Sequence, residues 1–162
     1  MAPEIVLQFV KQDNLPSDLI AYFSHGAGFS HVDAVMLDGR LLGARHDVRS
    51  GIPAGVQIRP PNYADFARTL RVTLPATDAQ VRAFWDFLEL QIGKPYDTEA
   101  ILGFVVGRDW RKPNAWICSE ADGAALESVD WFPHDLATPA NKLTPDDLLL
   151  AISARIPVNL DA

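Results

Sequence analysis

The dipeptide Asp38-Gly39 interrupts a run with alternating apolar residues on both sides, HVDAVML before it and RLLGARH after it. Both turn residues tolerate positive φ, so an Asp-Gly pair in this setting is a strong hairpin signal and predicts strands over 31–37 and 40–46. A two-residue turn fixes the register as well. Leu37 then faces Arg40, which sets His31 opposite His46 with their Cβ atoms about 5 Å apart. Asp33 shares that face because strand side chains alternate with period two. Val32, Ala34, Met36, Leu41 and Gly43 make the other face, apolar or small and suited to burial. His31, Asp33 and His46 are then either solvated strand residues or part of a site.

Further strands are predicted at 4–10, 56–59 and 69–74, the last two separated by a loop containing Pro60-Pro61. A short helix is expected over 15–24, started by Ser17 or Asp18. The strongest helical signal covers 77–92, where Thr77 and Gln80 form a capping box and Val81, Phe84, Trp85, Leu88 and Ile92 recur with helical spacing. Gly93 ends it. Residues 115–128 predict a helix that begins near Cys118, and Thr144-Pro145 supplies a cap and an N1 proline for another running through LLLAISARI. Strands gathered in the first half with helices elsewhere imply an α+β domain. At 162 residues the chain can bury a core without disulfides or metals, so residues 1–162 are expected to form one domain.

A net charge of -7 with scattered basic residues argues against a nucleic-acid partner. The start, MAPEIVLQFVKQD, lacks the basic and long apolar regions of a secretory signal, and no stretch approaches the roughly 18 apolar residues of a membrane span. The expectation is a cytoplasmic or otherwise non-Sec-exported protein. Cys118 is the single cysteine, so neither an internal disulfide nor an unaided thiolate metal site is available to it.

Cys118 lies where the loop RKPNAW turns into a helix. A thiol at a helix N-terminus is acidified by the free N–H groups and the macrodipole, and with a base beside it becomes a nucleophile. The segments FSHVDAV, GKPYD and WICSEADGAAL resemble the circularly permuted, NlpC-type branch of papain-like cysteine peptidases, in which the histidine strand comes first and the Cys-Ser-Glu helix late. The resemblance runs from about residue 24 to the LTPDDLL segment. It implies a papain-like fold, an antiparallel sheet packed against helices, with Cys118 as nucleophile and His31 as general base. Tyr96 matches a tyrosine that the family places beside the nucleophile. The family takes its third, orienting residue from the strand after the histidine strand, and the expected register delivers His46 there; Asp33 and Asp47 are alternatives. Family members often carry Glu-Ala near this point, where this chain has Gly43-Ala44. Trp116 is expected to line the substrate cleft, and Ser119 either binds substrate or favours the first helical turn. His25 and His134 are expected at the surface. Trp85, Trp110 and Trp131 are expected as core or groove walls.

The function implied is hydrolysis of an amide bond through a thioester acyl-enzyme, without cofactor or metal, on a small peptide or amide such as a peptidoglycan fragment. Two alternatives stay open. One is a thiol acyltransferase or lipid hydrolase of the lecithin:retinol acyltransferase type, which the pair His31/His46 would suit, although no amphipathic anchor is visible. The other is a non-catalytic phage or prophage component, or a binding module that keeps the fold. A two-histidine, one-carboxylate metal set of His31, His46 and Asp33 is the remaining use of the cluster.

Overall fold

The computed structural model describes residues 2–11, 27–48, 51–97 and 116–160. The helix expected over 15–24, His25 and Trp110 lie outside the described residues. The chain forms β1 (Glu4–Lys11), β2 (His31–Val35), β3 (Leu41–Arg45), β4 (Gly55–Arg59) and β5 (Arg68–Pro75), then α1 (Asp78–Glu89), α2 (Cys118–Ser128) and α3 (Pro145–Ser153), with a 3-10 turn at Ala140–Lys142. The strands make one sheet ordered β4-β3-β2-β1-β5, with each neighbouring pair antiparallel. The architecture is α+β.

Register runs Phe9↔Val32 and Leu7↔Ala34 between β1 and β2, then Ala34↔Leu42 into β3 and Leu42↔Ile58 into β4. These pairs give the sheet one apolar face. Ile5, Leu7, Phe9, Val32, Ala34, Leu42, Ala44 and Val56 join one buried cluster with Phe84 and Leu88 of α1, Ala121, Ala125 and Leu126 of α2, and Leu148, Leu149 and Ile152 of α3. Local signals set the helix ends. Thr77 and Gln80 close the expected capping box, and Thr144 and Asp147 close another at α3. α1 ends at Glu89, short of the expected residue 92, and Ile92 beyond it is exposed.

The hairpin differs from expectation by one residue. Val35 faces Leu41 and Ala34 faces Leu42, and the turn is closed by Met36 N–H on the Arg40 carbonyl (2.8 Å). Leu37, Asp38 and Gly39 form a three-residue loop in which Gly39 takes the left-handed conformation (φ 83°), the arrangement of a type I turn with a glycine bulge. The Asp38 carboxylate accepts from Arg40 N–H (3.0 Å) and Nε (2.6 Å) and fastens the loop. The slip moves each β3 side chain to the opposite face. Leu42 and Ala44 turn inward, while Leu41, Gly43 and Arg45 share the face of His31 and Asp33. The expected His31–His46 pair does not form; Asp33 instead stands across from Gly43.

Candidate active site

α2 packs against β2 and β3, which brings Cys118 to the start of β2. Ile117 is the N-cap: Glu120 Oε2 accepts its N–H at 3.4 Å, so Cys118 is the first helical residue. There it meets unspent backbone N–H groups and the positive end of the helix. The thiol is hydrogen-bonded to His31, and the Val32 N–H points at the sulfur. On its other side, His31 Nε2 lies 2.8 Å from Asp33 Oδ1, leaving Nδ1 as the nitrogen for the thiol. Cys118, His31 and Asp33 are 4%, 7% and 2% exposed. The three groups therefore form a line of contacts screened from bulk water.

Burial alone would push the Cys118 thiol up, but the His31 ring beside it, its hydrogen bond and the Val32 N–H bring the pKa below its ordinary value. For His31, burial opposes the charged ring; Asp33, followed by Cys118, outweighs it, and the pKa is raised from 6.5 to about 9. Burial also works against the Asp33 carboxylate, yet the histidine holds it below the usual carboxylate range. Together these shifts favour thiolate beside imidazolium at neutral pH. A catalytic step that needs the imidazolium should fade as pH rises through about 9. Because the ring holds its proton more tightly in the folded state, its stabilisation is complete below 6.5 and is lost as pH climbs from there through about 9. Thermal midpoints measured across that window check the sign, and a flat profile would count against the ion pair.

Behind Asp33 the contacts continue. Tyr63 Oη donates to Asp33 Oδ2 at 2.8 Å, Arg45 Nη1 donates to Tyr63 Oη at 2.8 Å, and Arg45 Nε donates to Asp47 Oδ1 at 2.7 Å. The Arg45 guanidinium also lies 4.6 Å from the Tyr63 ring centre. Arg59 Nη2 donates to the carbonyls of Asp47 (3.1 Å) and Pro53 (3.3 Å).

Several expectations for individual residues change. His46 lies past the end of β3, exposed, with its ring centre 5.9 Å from that of Tyr96; the register keeps it from facing His31, whose neighbour is Asp33, two residues along the same strand. Asp47, the other alternative, accepts from Arg45 Nε. Ser119 is fully buried and donates to the Leu143 carbonyl at 2.6 Å, so its hydroxyl fastens α2 to the 3-10 turn and has no access to substrate. Tyr96 and Trp116 are joined by a parallel bridge, with Trp116 N–H on the Pro95 carbonyl (3.0 Å) and Asp97 N–H on the Trp116 carbonyl (3.1 Å). This splices GKPYD to the segment that enters α2. Burial and the nearby Cys118 raise the Tyr96 pKa, so the phenol keeps its proton. Trp116 is half-buried, edge-on to Phe87, with the Lys94 ammonium 5.7 Å from its ring centre. Trp85 is half-buried against the core, and Trp131 is fully buried in it. No group of three or more His, Cys, Asp or Glu side chains among the described residues is arranged to hold a metal, and His46 stands away from the proposed metal set. No described helix is long and apolar enough to cross a membrane.

Tyr63 and Arg45 were not expected at the site, and no spacing in the sequence announces them. Asp122 was also missed, though its position one turn after Cys118 on α2 is a usable signal. It is fully buried, neither carboxylate oxygen has a hydrogen-bond partner among the described residues, and burial followed by Asp33 and Cys118 holds its pKa well above the ordinary value. Its burial therefore favours the protonated acid. Comparison with family models and with curated proteins finds no match to this chain.

Proposed function

We propose that this chain is a cysteine hydrolase of the permuted, papain-like NlpC type that cleaves an amide bond, with Cys118 as nucleophile, His31 as acid and base, and Asp33 as the orienting carboxylate. The observation that carries the reading is the His31 ring, bonded on one side to the Cys118 thiol and on the other to Asp33 at 2.8 Å. Thiolate attack on the carbonyl carbon forms the C–S bond and moves the π pair onto oxygen. N–H groups at the start of α2 and the protonated Tyr96 hydroxyl are available to stabilise that oxyanion. As the oxygen pair returns, the C–N bond breaks and the departing nitrogen takes the proton from imidazolium. Neutral His31 then removes a proton from water, whose oxygen attacks the thioester; the acid leaves and sulfur is regenerated as thiolate.

A small peptide or a peptidoglycan fragment is the substrate class that the sequence resemblance favours. The acyltransferase or lipid-hydrolase alternative rests on a resemblance to the lecithin:retinol acyltransferase type and on a His31/His46 pair; that pair does not form, and His31 has Asp33 of its own strand beside it. Two measurements decide. Iodoacetamide should alkylate Cys118 at neutral pH at least about 10-fold faster than free cysteine, as a lowered thiol pKa requires; an equal rate would exclude a nucleophilic role. Muropeptide and phospholipid panels, run on wild type and on Cys118→Ala, should show turnover of muropeptides that the variant lacks. Turnover of phospholipid alone would move the assignment to lipid chemistry, and a reactive cysteine that turns over neither would favour a binding module.

A further inference from the structure

Resting on that reading, we propose that Tyr63 is a positioning residue of the reaction: held by Arg45, its hydroxyl clamps Asp33 so that the carboxylate stays on the His31 ring. A carboxylate turns easily about its last torsion, where the energy profile is broad and two-fold. One bond to His31 would leave Asp33 free to rotate, and the second oxygen is where Tyr63 Oη donates, at 2.8 Å. A phenol has one proton to give. Arg45 Nη1 donates to the same oxygen from 2.8 Å, which occupies a lone pair and leaves that proton for Asp33. Arg45 is held in turn by Asp47 at 2.7 Å and by stacking 4.6 Å from the ring centre. Tyr63 comes from the turn between β4 and β5, its N–H on the Pro60 carbonyl (3.2 Å) and its ring edge-on to Phe66 at 5.2 Å. A loop distant from both β2 and α2 in sequence thus reaches the carboxylate.

The charged and titratable groups around Asp33 and His31 are Cys118 and Asp122 from α2, Arg45 from β3, and Tyr63; Asp47 and Arg59 stand behind Arg45. Removing the Tyr63 hydroxyl weakens the ionised Asp33 and, through it, the imidazolium. Tyr63→Phe should lower kcat roughly 10-fold, the cost of one hydrogen bond to a charged group, with KM within about 2-fold. The high-pH limb of the pH–rate profile should move to lower pH, and Arg45→Lys should move it the same way by less. In an Asp33→Asn background Tyr63→Phe should add no more than about 2-fold, because the group it acts through is gone. Thermal melts of each variant separate lost activity from lost folding, and Arg45→Lys carries the test if Tyr63→Phe does not fold. An unmoved limb in both variants, or losses from Tyr63→Phe and Asp33→Asn that multiply, would overturn the clamp. Slow alkylation of wild-type Cys118 would instead remove the hydrolase reading and the clamp with it, whereas fast alkylation with an indifferent Tyr63→Phe would remove the clamp alone.

Discussion

His31→Ala is expected to abolish measurable turnover, and Asp33→Ala to lower kcat on the order of 10²–10³-fold, while His46→Ala stays within about 3-fold of wild type. In the proposed mechanism His31 serves both halves of the reaction, so its loss removes the proton donor for the leaving amine and the base for water. The cost at Asp33 has two sources. Its Oδ1, 2.8 Å from Nε2, fixes which ring nitrogen faces sulfur, and its charge is the largest influence raising the His31 pKa against burial. Alanine removes both and leaves a buried imidazole whose charged form has lost its partner, so thiolate is also lost. His46 is exposed, with its ring centre 5.9 Å from that of Tyr96, and does not face His31 across the hairpin. The hairpin register expected from the sequence ranks these two variants the other way, with His46→Ala the more damaging. Steady-state kinetics on the three variants decide the order, and His46→Ala costing more than Asp33→Ala would show that the orienting residue has been misassigned.

The reason the ranking inverts is local and covers one residue. Asp38-Gly39 marks the hairpin correctly, but a two-residue turn and a three-residue loop with a glycine bulge are both compatible with that pair, and they place β3 on opposite faces. Hydrophobic alternation cannot choose between them here, because LLGA carries apolar or small residues at successive positions and is fully buried on both faces. What decides is the polar face: with Arg45 beside His31 and Asp33 it can bond Tyr63 and Asp47, whereas in the other register a guanidinium would be driven into the apolar cluster, at a cost of several kcal/mol. Signals confined to a few neighbouring residues were legible, including the Thr77 and Thr144 caps and the helix start at Cys118. Tyr63 was not. Its role depends on the loop between β4 and β5 folding back over the sheet, a tertiary arrangement with no periodicity to announce it. Ser119 shows the converse, since its place beside the candidate nucleophile suggested substrate contact while the packing of α2 on the 3-10 turn consumes its hydroxyl.

Gly43→Ala should be nearly as damaging as the loss of Asp33, lowering kcat on the order of 10²-fold, although it touches none of the reacting groups. A Cβ at position 43 would run into Asp33 Oδ1, the oxygen that holds His31, and would sit 3.1 Å from its Cγ and 3.4 Å from its Cα. Asp33 is buried and bonded at both oxygens, so it can yield only by leaving the histidine or by spreading β2 from β3. Spreading the strands would cost about 1–3 kcal/mol, the usual penalty of overpacking, and would show as a lower thermal midpoint. Rotation of Asp33 would instead move the high-pH limb of activity downward, as the His31 pKa falls from about 9, and would flatten the pH dependence of the midpoint. A double-mutant cycle isolates the contact: once Asp33→Ala has removed the carboxylate, Gly43→Ala should change kcat by no more than about 2-fold. Asp33→Gly with Gly43→Glu transfers that carboxylate to the facing strand and should recover at least about 10-fold of the activity lost by Asp33→Gly alone, the gain expected from one restored charge-assisted hydrogen bond. Kinetics that show Gly43→Ala indistinguishable from wild type would mean that Asp33 is not confined as described and that another group orients His31.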